Sequence, residues 1–238
     1  MKILAIESAA STASVALWSE GIIEAEFTVD FQKTHSQTLL PMIDGMMKMV
    51  QADRRDLAAV AVSSGPGSFT GLRIGAATAK GICQALNIPL IPVSTLEGMA
   101  FQCFDAASCV CPMMDARRKQ VYTGLYHFEE GELVTVIEPC ALGIEELAEK
   151  LLAIDMPVLF LGDAAPLHQE YLKETLRVPV LFAPAHAARQ RAGALAARAV
   201  LLMEEGRAVN AEEFAPEYLR PSQAERVRAE KEAAERDG

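Results

Sequence analysis

Two parts of this sequence open in the same way, and the recurrence restricts the fold more than any single motif. Lys2 to Ile6, Ser14 to Ser19 and Ile22 to Val29 are short apolar or alternating runs separated by small polar turns, the pattern of a three-strand meander. Cys109 to Met114, Gln120 to Phe128 and Leu133 to Ile137 repeat it, with Asp115-Ala116-Arg117-Arg118 and Glu129-Glu130-Gly131-Glu132 as the turns. Each meander leads into alternating helices and strands. After the first come a helix over Ser36 to Val50, a strand over Leu57 to Ser63, a helix over Thr70 to Leu86 stopped by Asn87-Ile88-Pro89, and a strand over Leu90 to Val93. After the second come helices over Ile144 to Leu152 and Ala165 to Leu176 around a strand at Val158 to Leu161, then an alanine-rich helix over about Ala187 to Glu205. A chain of 238 residues, 51% of them hydrophobic, has enough apolar surface to cover two such units. The expectation is a duplicated α/β unit with its boundary near Ala100 to Ala107.

A formal net charge of −10 argues against a chain that holds a nucleic-acid backbone unaided, because that task needs a basic stripe. The start, MKILAIES, is strand-like from its first residues and shows no secretion signal, and no apolar run is long enough for a membrane span. The five cysteines, Cys83, Cys103, Cys109, Cys111 and Cys140, lack the paired spacing of a zinc site, so a reducing cytoplasm is expected. Cys109 and Cys111 share one strand face among apolar neighbours and suit buried thiols better than metal ligands. Ser222 to Gly238 is dense in Glu, Arg, Lys and Ala without an apolar face, as in a solvated helix or disordered tail.

The stretch SSGPGSFTGLRIG, Ser63 to Gly75, has the look of a phosphate loop. It lacks the Lys and spacing of a Walker loop, its third glycine is misplaced for a dinucleotide fingerprint, and no acidic residue closes the strand Leu90 to Val93. The helix it launches instead carries Gly71, Gly75, Ala79 and Cys83 at four-residue intervals, a stripe of small residues. A helical glycine costs about 1 kcal/mol relative to alanine, so close packing must compensate. That packing is either inside the domain or against another chain.

In HSQTLLPMIDGMMKMVQ the apolar residues Leu39, Leu40, Met42, Ile43, Met46, Met47, Met49 and Val50 spread around most of the helix, which calls for cover on more than one side and points to a protein interface, with a fully internal helix as the alternative. His35 stands just ahead of it. A helical metal site would place a second histidine four residues on, where this chain has Leu39. His127, His168 and His186 show no pairing, and no Ser, His and Asp constellation emerges. Glu7, closing the first strand, is either a general base or a hydrogen-bonded turn residue.

KILAIESAASTASVAL, HSQTLLPMI, SSGPGSFTGLRIGAATAKG, DARRKQVY and PEYLR, in this order and covering the chain except its charged tail, resemble the bacterial tRNA threonylcarbamoyladenosine biosynthesis protein TsaB (YeaZ) family. The resemblance implies two duplicated actin-like, sugar-kinase-like domains of the ASKHA, ribonuclease H-like superfold. They would be an N-terminal domain over 1–102 bearing the partner-binding helices, a smaller second domain over 103–221 whose last segment packs back on the first, and the tail 222–238. It implies a noncatalytic scaffold and activating subunit for TsaD, which transfers a threonylcarbamoyl group to the adenosine beside the anticodon. TsaD-like subunits hold a metal on an HxxxH helix, and here that place reads His35 then Leu39. No cofactor of its own is expected; ATP and metal belong on partner subunits. Expected partners are a TsaD-like catalytic subunit, a TsaE-like ATPase, a second copy of the chain, and tRNA only through the complex. The implied partner surface comprises His35, Leu39, Leu40, Ile43, Met46 and Met47 on the first helix, and Phe69, Thr70, Gly71, Arg73, Ile74, Gly75 and Ala77 on the second. The alternative is an autonomous sugar-kinase-like phosphotransferase or a metallopeptidase of the same superfold.

Overall fold

A computed structural model describes residues 1–31 and 34–220. The tail reading, 222–238, lies outside them. The first sheet has the order β3-β2-β1-β4-β5, with β1 (Lys2–Glu7), β2 (Ala13–Ser19) and β3 (Ile22–Val29) antiparallel, and β4 (Leu57–Gly65) and β5 (Leu90–Ser94) parallel to β1. The second has the order β10-β9-β6-β7-β8, built from β6 (Cys109–Asp115), β7 (Gln120–Glu129), β8 (Glu132–Gly143), β9 (Val158–Leu161) and β10 (Val180–Phe182). Here too the first three strands are antiparallel and the last two run parallel to the first. The two sheets therefore share one topology, and the recurrence in the sequence is a structural duplication.

Strand alternation sends successive side chains to opposite faces. Leu4, Ile6, Val60 and Val62 face α1 (His35–Met49) and α2 (Phe69–Leu86), meeting Leu39, Met42 and Met46 of the first and Ala76, Ala79 and Cys83 of the second. Ile3, Ala5, Ala59 and Ala61 face α6 (Ala192–Glu204), which covers the other side of this first sheet with Leu195, Ala196, Ala199 and Leu202 although it comes last in the chain. It begins at Ala192, five residues later than the alanine-rich run suggests, because Pro184 to Arg191 adopts turns and extended backbone first.

Two elements escape the apolar-period reading. One is α3 (Thr95–Phe101), only seven residues long and buried almost throughout. Its Leu96, Met99 and Ala100 join Val110, Met114 and Tyr126 of the second sheet in one core, so it stands between the halves. A local signal for it exists: Ser94 accepts from the Glu97 amide at 3.5 Å, and Ser-x-x-Glu is a helix-start pattern. The other is β10, three residues long. On the outer face of the second sheet, Cys111, Leu125 and Phe160 pack with Leu147 and Leu151 of α4 (Ile144–Leu151) and Leu172 of α5 (Gln169–Thr175). The helix expected over Ala165 to Leu176 is a 3-10 turn at Ala165–His168 followed by α5. Among the described residues no helix is long and apolar enough to cross a membrane.

Candidate functional site

Helices α1 and α2 lie side by side on the first sheet, and the seam between them opens outward as a groove of 1140 Å³. Leu40, Ile43 and Met47 form one wall, and Ala77, Gly81 and Ala85 the other. The α2 wall is low because these three positions, one helical turn apart, carry almost no side chain. A β-carbon added at Gly81 meets nothing within 4 Å. The rim is charged: Lys48 donates to Asp44 at 2.7 Å, and Asp53 and Arg54 lie at one end. The groove thus has apolar walls, one of them built of small residues, and a polar edge, an arrangement that suits a docked protein.

The residues expected on a partner surface divide into two sets. Leu40 is 58% exposed, Ala77 exposed and Met47 half-buried, and all three line the groove; Thr70 and Arg73 are exposed and His35, Phe69 and Ile74 half-buried outside its lining, with Phe69 and Thr70 beside a second cavity at the start of α2. Ile43 is buried but contributes to the α1 wall of the groove. Leu39 and Met46, at 1% and 0% exposure, instead point into the core beneath α1 and present nothing to a partner. Gly71 and Gly75 are likewise internal. A β-carbon at Gly71 would stand 2.2 Å from the Ser8 carbonyl oxygen, and one at Gly75 2.3 Å from Ser8 Oγ. The stripe Gly71, Gly75, Ala79, Cys83 therefore admits the chain's own β1–β2 turn and sheet, the packing inside the domain that the sequence left as one of two alternatives. Gly81 and Ala85, with Thr78, Ile82 and Leu86 beside them on α2, are among the groove residues that sequence reasoning missed. The signal for Gly81 and Ala85 was a second four-residue series, Ala77, Gly81, Ala85, on the groove-lining face of the same helix.

Glu7 is 2% exposed, and burial pushes its carboxyl up to about 7 against the opposing hydrogen bonds. Its Oε1 accepts from the Ala9 amide at 2.7 Å, so it ties the turn after β1 rather than facing an open site. His35 Nε2 lies 2.7 Å from the Ala10 carbonyl oxygen, which uses up the nitrogen nearest that turn. With Leu39 in the core at the next helical turn, these residues do not fit a metal, and among the described residues no cluster of three or more His, Cys, Asp or Glu has the spacing to hold one. Burial also raises the thiols: Cys83 to about 11 and Cys111, beside the Thr123 hydroxyl at 3.4 Å, to about 12, so both are protonated and unreactive at neutral pH.

A second cavity of 540 Å³ lies between the two sheets, bounded by Ser11, Gly67 and the start of α2 on one side, Asp115, Arg117 and Asp163 on the other, and Tyr218 and Arg220 across its mouth.

Comparison with known proteins places this geometry. The model of the family described as TsaD, tRNA N6-adenosine threonylcarbamoyltransferase, matches residues 29–227. The tRNA threonylcarbamoyladenosine biosynthesis protein TsaB of Bacillus subtilis (strain 168) is 34% identical over 225 residues, 94% of this chain and 96% of that protein. Among solved structures, a protein from Pseudomonas aeruginosa described as similar to peptidase YeaZ superposes with a TM-score of 0.80 at 28% identity, covering 92% of this chain and 99% of that one. The inorganic polyphosphate/ATP-glucomannokinase of Arthrobacter sp. strain KM, at a TM-score of 0.53 and 11% identity over 84% of this chain and 98% of its own, shares the fold alone. The two like sheets are thus the paired domains of the actin-like, sugar-kinase-like superfold, and the chain belongs to the TsaB (YeaZ) family of tRNA threonylcarbamoyladenosine biosynthesis proteins, within the broader family that the TsaD model describes.

Proposed function

We propose that this chain is a noncatalytic scaffold and activating subunit in the synthesis of threonylcarbamoyladenosine on tRNA, and that it holds a TsaD-like catalytic subunit in the groove between α1 and α2. The groove carries the reading. It is large, apolar and lined by Leu40, Met47, Ala77, Gly81 and Ala85, and the low α2 wall leaves room for a helix of another chain to approach closely. A second copy of this chain would occupy the same groove, so homodimer and heterodimer exclude one another there.

Chemistry then resides on the partners. The catalytic subunit supplies the metal, and a TsaE-like ATPase docks where the two larger subunits meet. A chain with a net charge of −10 meets tRNA only as part of that assembly. The paired sheets give a rigid body that carries the docking helices, and its cytoplasmic location follows from working on tRNA.

Reconstitution tests this. Purified chain given tRNA and threonylcarbamoyl-adenylate is expected to transfer no group and to hydrolyse no ATP, and addition of TsaD-like and TsaE-like subunits is expected to start transfer at a rate that rises with the amount of this chain. Transfer, sugar phosphorylation or peptide cleavage by the chain alone would overturn it in favour of an autonomous enzyme, as would stoichiometric zinc or iron bound through His35.

A further inference from the structure

The last described stretch, Ala211–Arg220, runs back over the first domain and then across the mouth of the inter-sheet cavity. Phe214 is buried in the core beneath α1 and α2, and Lys80 of α2 donates to its carbonyl oxygen at 2.8 Å. The Glu217 amide donates to the Ser64 carbonyl oxygen at 2.7 Å, and its own carbonyl passes so close to Gly65 that a β-carbon there would lie 2.2 Å away. At the next residue the Tyr218 ring packs on Phe69 with centroids 4.5 Å apart. Arg73 completes the stack: its guanidinium carbon stands 3.9 Å from the Phe69 centroid, and its Nε donates to the Tyr218 hydroxyl at 3.2 Å.

Two residues further, Arg220 crosses to the second sheet. Its guanidinium donates to the Ala116 carbonyl oxygen and, at 3.3 Å, to that of Arg117. These carbonyls belong to the β6–β7 turn, where Arg117, Arg118 and Lys119 all have left-handed backbone, with φ of 65°, 54° and 60°. Three successive side-chain-bearing residues in that region crowd their β-carbons against the backbone, so the turn depends on contacts from outside itself. The strap therefore touches Phe69 and Arg73, at the end of the docking helix α2, and the turn that forms the far lip of the cavity.

We propose that Tyr218 and Arg220 are positioning residues of the docking face, through which the placement of the second sheet's turn is coupled to the presentation of Phe69 and Arg73 to a partner. The proposal rests on the docking reading above. Docking on α2 and ordering of the β6–β7 turn are then one linked equilibrium, because the same strap contacts both.

The test uses the full chain with Arg220→Ala, Tyr218→Ala and Tyr218→Phe, each checked for an unchanged thermal midpoint. Native-state tryptic cleavage after Arg117, Arg118 and Lys119, followed by mass spectrometry, reports how often the turn opens. Arg220→Ala should raise that rate about tenfold, since it removes a charge-assisted pair of hydrogen bonds. Tyr218→Ala, which has no hydrogen bond to the turn, should raise it at least about threefold, and Tyr218→Phe, which keeps the ring on Phe69, should stay near wild type. In the second arm Arg220→Ala, remote from the groove, should weaken binding of the TsaD-like subunit at least about threefold. Wild-type cleavage of the turn in Tyr218→Ala, or wild-type partner affinity in Arg220→Ala, would overturn the coupling. Should even the wild-type chain fail to bind the catalytic subunit, it is the docking reading that has failed, and the cleavage ratios still decide whether the strap links the halves. If Tyr218→Ala does not fold, cleavage in Tyr218→Leu decides in the same way.

Discussion

The Ser8 carbonyl oxygen occupies the space that a side chain on Gly71 would need: a β-carbon there would stand 2.2 Å from it. Ser8 Oγ in turn donates to the Gly71 carbonyl oxygen at 3.0 Å, so the turn after β1 is seated directly on the first turns of α2. Gly71→Ala must displace backbone rather than a flexible side-chain end. It should lower stability by about 1–3 kcal/mol, the cost of overpacking a filled core, read as a fall in the urea midpoint at unchanged slope.

Gly81, on the outward, groove-lining face of the same helix, predicts the opposite sign. Nothing stands within 4 Å of an added β-carbon and its backbone is helical. Gly81→Ala should therefore stabilise the chain by about 0.5–1 kcal/mol through helix propensity and a less disordered unfolded state. The same methyl raises the low wall of the groove, so affinity for the docking partner should fall as stability rises. Isothermal calorimetry beside a denaturation curve separates the two effects.

Sequence periodicity reveals which residues share a side, not what they face. Gly71, Gly75, Ala79 and Cys83 and the series Ala77, Gly81 and Ala85 are equally plain in the sequence, yet the first meets Ser8 and the sheet while the second is open. The same limit applies to α1: an apolar circumference was legible, but only packing shows that Leu39 and Met46 are core while Leu40 projects outward. The duplication was legible because strand meanders are local patterns. That α6 covers the first sheet, and that α3 sits between the halves, depends on contacts between distant segments; Arg198 of α6, for example, is 3.1 Å from Glu97 of α3.

Glu7 makes stability depend on pH in a specific window. Its folded-state pKa, raised to about 7, exceeds the ordinary 4.5, so the native state binds the proton more tightly than the unfolded chain. Below about 4.5 both states are protonated and there is no penalty; between about 4.5 and 7 stability falls as pH rises; above 7 the full penalty is present. Glu7→Gln keeps an acceptor for the Ala9 amide and removes the buried charge. It should raise stability at pH 8 by about 1–3 kcal/mol and leave it nearly unchanged at pH 4, measured by urea denaturation at both values.

Leu40 and Met46 stand six residues apart on one helix and test the division between surface and core. Met46→Asp buries an unpaired carboxylate beneath α1 and should cost about 3 kcal/mol or more, lowering the thermal midpoint by about 6–12 °C or more. Leu40→Asp, at a position 58% exposed, should change stability by no more than about 0.5 kcal/mol while weakening docking at least about tenfold.

The groove is the centre of this account, and Ala77→Arg addresses it most directly, because Ala77 is exposed on the α2 wall and touches no core. Calorimetric titration of the TsaD-like catalytic subunit into wild-type chain and into Ala77→Arg, with thermal midpoints recorded for both, gives the answer in one measurement. The predicted result is an affinity loss of about a hundredfold or more with an unchanged midpoint, from a long charged side chain filling the space a partner helix needs. Equal affinity of the two chains for the catalytic subunit would contradict the account.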